Sequence, residues 1–129
     1  MTTKDSFRTP MGRVRHLGSA NSGTGHFIRQ RFTAITNALL VLPFVYLVAK
    51  LAGLERAALL AELQRPVVAL VLLGFLLSAT YHMRIGVQVV IEDYVHGEVP
   101  KMAALALNTV FALAIAGTTA FALLKIAFS

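Results

Sequence analysis

A histidine and an arginine two residues apart, His82 and Arg84, lie inside a stretch apolar enough to cross a membrane, and an Asp93-Tyr94 pair closes the same stretch. Ionisable side chains within a spanning segment each cost about 2.5–3.5 kcal/mol on insertion scales unless they face a partner, a cofactor or water, so they mark function by default. The chemistry open to these four is specific. A neutral imidazole can ligate a metal, a guanidinium can hold a carboxylate or phosphate, and a phenol beside a carboxylate can bond a carbonyl oxygen and relay a proton.

At 100° per residue, Gly74, Ser78, His82 and Gly86 fall on one narrow strip of a helix, bordered by Ala79. Such a strip has two readings. Small residues above and below His82 let a flat macrocycle approach, with the imidazole as axial ligand; equally, small residues four apart serve close packing of a neighbouring helix. Asp93 follows His82 by eleven residues, about 16 Å along the axis, and Tyr94 lies about 18 Å along. Tyr94 suits the headgroup layer as an anchor, or it donates a hydrogen bond to a quinone carbonyl with Asp93 beside it. Arg84 points to another face of the helix and needs a carboxylate of another subunit, a haem propionate or a lipid phosphate. Arg31, at the head of the first apolar block, is either a second site for anionic groups or an ordinary flanking cation. His16, His26 and His96 read as solvent or interface residues, because none pairs with another at metal-binding spacing on one helix.

The elements that carry these residues follow from composition. Of 129 residues 57% are hydrophobic and only 14% charged, with a mean hydropathy of +0.70, which describes an integral membrane protein. Three apolar blocks, about 32–52, 67–91 and 102–124, each meet the roughly 20 residues a ~30 Å hydrocarbon core requires. Lipid leaves helices or closed barrels as the only spanning structures, and the period-two alternation of a barrel is absent. The expected fold is therefore all-α, an integral membrane anchor with three transmembrane helices over residues 31–129 and a basic N-terminal tail over 1–30. Leu54 to Leu63 is too short and too charged to cross and suits an interfacial helix, after which Pro66 opens the second span. Thr33, Thr36, Asn37 and Pro43 interrupt the first span, and Pro43 is a candidate kink. Asn108, Thr109, Thr118 and Thr119 in the third suit hydrogen bonds between helices.

The absence of cysteine excludes disulfides, thiolate metal sites and covalent haem attachment. The net charge of +6 gathers in the tail, where Lys4, Arg8, Arg13, Arg15, Arg29 and Arg31 face a single Asp5. The positive-inside rule places that end in the cytoplasm and Ser129 outside. The tail lacks the apolar core of a signal peptide and so reads as retained. Orientation and anionic lipid explain its charge, and without interleaved aromatics it does not describe a nucleic-acid binder.

The run His82-Met83-Arg84-Ile85-Gly86-Val87-Gln88-Val89-Val90-Ile91-Glu92-Asp93-Tyr94-Val95-His96-Gly97 resembles the signature of the hydrophobic membrane anchor subunit of succinate dehydrogenase, respiratory complex II. That signature runs histidine, a short apolar spacer with glycine, then Asp-Tyr-Val. Arg31-Phe32-Thr33-Ala34-Ile35 is similar to the Arg-x-Thr-Ala opening of the same subunit's first helix, and the likeness covers about 100 residues. The resemblance implies that His82 is an axial ligand to the iron of a b-type haem held between two membrane subunits. It implies that Tyr94, with Asp93, helps bind ubiquinone, and that Arg31 matches an arginine near the haem propionates. His26 lies close to a family histidine in that area, although its spacing to Phe27 differs by one residue. Arg84 stands where relatives often carry an aromatic residue, and no role is carried to it.

The implied assembly has a flavoprotein subunit oxidising succinate, an iron–sulfur subunit passing electrons inward, and a cytochrome b subunit supplying the second haem ligand. The chain would then be no catalyst alone, but part of a succinate:ubiquinone oxidoreductase in a bacterial inner membrane, or the mitochondrial inner membrane in a eukaryote. Its single well-placed intramembrane histidine agrees with a shared site, because a six-coordinate haem needs two ligands. Two other classes of function compete. A structural tether would carry no cofactor, and a small transporter subunit would use His82 and Arg84 as a charged path, although their different faces do not make one continuous.

Overall fold

A computed structural model describes residues 22–129, all helical apart from short connections. Helix α1 is Ser22–Leu51, α2 is Arg56–Leu63, α3 is Pro66–Tyr94 and α4 is Glu98–Ala127. α1, α3 and α4 are each long and apolar enough to cross a membrane, so the chain is a multi-pass membrane protein. The expected spans were shorter than the helices that contain them. α1 begins at Ser22 rather than near residue 32, and α4 runs over Glu98–Ala127 rather than 102–124. Thirty residues make a helix of about 45 Å, half as long again as the ~30 Å hydrocarbon core. The polar Ser22 to Arg31 stretch continues the helix into the interface, where its hydropathy is low but its backbone bonds are still internal. The expected tail is thus helical from Ser22 onward, and His16 with the remainder of the basic tail lies outside the described residues.

Local signals set the helix ends. α1 passes through Pro43 without interruption and ends at Leu51, two residues before Gly53, whose φ of +85° is a left-handed conformation that favours glycine just past a helix C-terminus. α2 forms where the interfacial helix was expected. The Lys50 ammonium donates to Glu62 Oε2 at 2.9 Å, tying α2 to the end of α1, and Arg65 lies 3.2 Å from Glu62 Oε1. The bond from Lys50 holds the Glu62 carboxyl below its usual range, with partial desolvation opposing and Arg65 adding to the lowering. Pro66 opens α3 at a position whose N–H would be unpaired in any case. At the other end Lys101 Nζ donates to the Glu92 carbonyl at 2.9 Å, a cation on the final turn of α3.

α3 is the central element, packed along both α1 and α4. The buried set is small: Leu47, Val68, Leu72, Ile85 and Ala112, with the polar Thr33, Thr80 and Asn108. Large apolar side chains such as Leu39, Leu42 and Leu107 point outward, as expected of helices whose solvent is lipid or the helices of other subunits. On α1, His26, Gln30, Thr33, Asn37, Leu40, Phe44 and Leu47 recur with alternating steps of four and three, the spacing of a helix–helix seam. One half of that seam is apolar. Leu47, Val68 and Leu72 cluster with Phe44 and Val71, and Phe44 stacks on Phe75 with ring centroids 4.2 Å apart. The other half is polar, and it contains His82.

Candidate functional site

Antiparallel packing of α1 on α3 sets Thr33 opposite His82. Thr33 is buried, and its Oγ1 lies 2.9 Å from the Arg29 carbonyl oxygen, 3.1 Å from that of Gln30 and 2.9 Å from His82 Nδ1. A hydroxyl has one hydrogen to give, and a carbonyl oxygen can only accept. Thr33 therefore donates to its own helix and accepts from His82 Nδ1–H. Nε2 has no partner as close. The neighbour of Nε2 is the Gln30 amide nitrogen at 3.4 Å, near the outer limit of a hydrogen bond. Gln30 Oε1 is buried without a partner among the described residues.

The small strip on α3 faces α1 rather than open space. A Cβ on Gly86 would sit 3.4 Å from Gln30 Nε2, and one on Gly74 would sit 3.9 Å from Leu40 Cδ1. Of the two readings of the strip, close helix packing is the one realised. One turn further along each helix, Asn37 Oδ1 on α1 and Ser78 Oγ on α3 are also buried without partners among the described residues. The polar half of the seam thus holds one well-anchored group, His82 Nδ1, among several unsatisfied ones. Buried polar atoms left unpaired cost about 1–3 kcal/mol each, so this is where an added ligand or water relieves most.

The donor set suits an axial haem ligand. It supplies one imidazole, a hydroxyl holding its Nδ1–H, and an Nε2 covered only by a flexible side chain. Among the described residues no three His, Cys, Asp or Glu side chains converge on a metal site, a requirement that does not apply to a single axial histidine.

The other expected residues are placed less closely. His26 is half-buried one turn before Gln30 on the same face of α1. Arg31 is exposed, with its guanidinium carbon 4.3 Å from the centroid of the Phe27 ring, and is turned away from the seam. Asp93 and Tyr94 lie exposed at the end of α3, with Tyr94 at 78% of its full accessibility. Neither side chain is hydrogen-bonded among the described residues, and the Tyr94 carbonyl accepts from His96 Nδ1–H at 3.1 Å. No enclosed pocket forms around the phenol from this chain's described residues alone. His26 and Arg31, near the start of α1, and the Asp93-Tyr94 pair, at the end of α3, share one end of the bundle.

Arg84 faces the other flank of α3, toward α4. Its Nε and one terminal nitrogen lie 3.4 and 3.3 Å from Thr109 Oγ1, which itself donates to the Leu105 carbonyl at 2.9 Å. Buried Asn108 donates to the Arg84 carbonyl at 2.9 Å. Asn108 and Thr109 thus make the interhelical bonds their positions suggested, whereas Thr118 bonds back to its own helix. Thr33 and Gln30 are the site residues that sequence reasoning passed over. The four–three spacing of polar residues 26, 30, 33 and 37 was the available signal.

Residues 5–121 match the family described as succinate dehydrogenase/fumarate reductase transmembrane subunit. The chain is 36% identical over 89 residues to the succinate dehydrogenase hydrophobic membrane anchor subunit of Rickettsia bellii, covering 69% of this chain and 71% of that protein. It is 32% identical over 117 residues to the subunit of the same description from Paracoccus denitrificans, covering 91% of this chain and 90% of its relative. No solved structure gives a significant match.

Proposed function

The chain belongs to the succinate dehydrogenase/fumarate reductase transmembrane subunit family and is a membrane anchor within a larger complex; from that premise we propose that it co-binds a b-type haem through His82 and contributes Tyr94 and Asp93 to a ubiquinone-reduction site. The observation that carries the haem reading is the anchoring of the imidazole: Thr33 holds His82 Nδ1–H at 2.9 Å and leaves Nε2 with only a 3.4 Å contact. When bound, the haem supplies a one-electron carrier whose potential the protein tunes. A cytochrome b subunit would supply the other protein ligand to such a haem, and flavoprotein and iron–sulfur subunits would deliver electrons from succinate. Arg31 and His26, at the start of α1, are the candidates for contacts to the propionates.

Tyr94 holds a quinone oxygen through its phenolic O–H as negative charge develops there, and Asp93 beside it orients the phenol or relays a proton. The partner subunits supply the remaining walls of that site. The basic N-terminal end, and with it Tyr94, faces the cytoplasm of an inner membrane in this reading.

The test is the dithionite-reduced spectrum of the complex purified through this chain. A b-type absorbance that rises and falls with the amount of this subunit is expected. A complex of full subunit content with no such absorbance would leave only the structural tether.

Thr33 acts through His82 as a positioning residue. An acceptor on Nδ1–H makes the imidazole a stronger electron donor and stabilises the ferric state. Thr33→Val removes that acceptor, so the haem midpoint potential is expected to rise by on the order of 40 mV, the equivalent of about one hydrogen bond at 1 kcal/mol. Thr33→Ser is expected to restore the wild-type potential. Redox titration of the three complexes decides it, and an unchanged potential in Thr33→Val would dismiss the role.

A further inference from the structure

Of the four ionisable residues singled out on α3, Arg84 is the one that the haem and quinone reading leaves unused. It is half-buried, and among the described residues the ion pairs are those of Glu62 with Lys50 and Arg65, so no carboxylate of the described chain compensates it. A guanidinium has five N–H donors, and two of the three nitrogens share one threonine hydroxyl at long distances. Arg84 also lines a cavity of about 220 Å3 between α3 and α4, with Thr80 and Tyr81 on one wall and Ala112, Leu113 and Ala116 on the other.

The position of this cavity decides between the anions that could fill it. Thr80 is the midpoint of Pro66–Tyr94, and Ala112 and Leu113 flank the midpoint of Glu98–Ala127. The cavity therefore straddles the centre of both spanning helices, about 15 Å from either headgroup layer. Arg84 is on the Tyr94 side of that centre, and the cavity walls on α3, Leu77, Thr80 and Tyr81, all precede it in sequence. The space beside the guanidinium thus extends toward mid-membrane, away from the nearer headgroups, which disfavours a lipid phosphate. A group ligated by His82 stands on the α1 side of α3, two residues or about 200° around the helix, which disfavours a propionate of that haem. Ala112 and Ala116 give the α4 wall little bulk, so another helix can approach closely.

We propose that the α3–α4 face at Arg84 docks a transmembrane helix of a partner subunit through an aspartate or glutamate carboxylate placed at mid-membrane. Two parallel N–H···O bonds from the guanidinium satisfy the charge and fix the depth and rotation of that helix. Family membership supplies the membrane partner but assigns no role to Arg84.

The test uses the intact complex in native membranes. Arg84→Lys keeps a cation and presents an amine that dicyclohexylcarbodiimide, which partitions into lipid, couples to an adjacent carboxylate. A covalent link from position 84 to an acidic residue in a membrane span of another subunit is expected, and Arg84→Gln should release that subunit at lower detergent concentration than wild type. A link to a carboxylate of this same chain or of a second copy would overturn the proposal, as would no link in an assembled complex. Should Arg84→Lys fail to assemble, a benzophenone amino acid at Leu113, on the cavity wall, replaces it: a photoadduct with a partner polypeptide supports the proposal and adducts with lipid alone overturn it. Failure of either arm with haem retained leaves the haem and quinone reading intact.

Discussion

Substituting His82 with leucine is expected to abolish the b-type absorbance of the assembled complex almost completely, while succinate oxidation by an artificial dye continues. The structure makes this a clean substitution. Thr33 Oγ1 keeps its bonds to the Arg29 and Gln30 carbonyls when the imidazole is gone, so no buried hydroxyl is orphaned by the change. Leucine is close to histidine in size, so the contacts between α1 and α3 are largely kept. What disappears is the imidazole and its Nε2. Reduced-minus-oxidised spectra at matched subunit content measure it. Unaltered haem content and an unaltered spectrum would refute ligation by His82.

Conversion of Tyr94 to phenylalanine is expected to lower quinone reduction by about tenfold or more, the kinetic equivalent of one hydrogen bond to a developing charge at ~1.5–3 kcal/mol. Dye-linked succinate oxidation should be unchanged, since electrons reach the dye before quinone. The phenol is exposed and unbonded among the described residues, so its removal breaks no internal contact and stability should hold. Side-by-side assays with ubiquinone and with dye separate the two activities. Equal loss of both would mean that Tyr94 supports assembly rather than quinone, the outcome an interfacial anchor predicts. The two substitutions report on points about 18 Å apart on one helix, so each should leave the other's signal largely intact.

The three spans, the interfacial helix and the position of His82 and Tyr94 on one helix were legible in the sequence because hydropathy and helical period are local properties. The start of α1 was not. Ser22 to Arg31 carries two glycines, His26, Arg29, Gln30 and Arg31, a composition that reads as tail, yet a helix leaving the bilayer keeps its backbone bonds whatever its side chains. The partners of His82 and Arg84 were hidden for a different reason. Thr33 lies 49 residues from His82 and Thr109 lies 25 from Arg84, and such pairs depend on the register of two antiparallel packings. Small residues beside His82 admitted a macrocycle as well as the commoner close helix contact, and the approach of Gln30 and Leu40 decides for the helix.

The contrast between the two halves of the α1–α3 seam bears on the order of maturation. Around Leu47, Leu72 and the Phe44–Phe75 stack, separation would strip packed surfaces apart. Around Gln30, Thr33 and His82 it would break one good hydrogen bond and one marginal one, and it would expose atoms that are already unsatisfied. The pair of helices is therefore fastened like a clothes-peg, sprung at its aromatic end and loosest at its imidazole end. In the haem-binding reading proposed above, the group would enter by parting the jaws without undoing the spring.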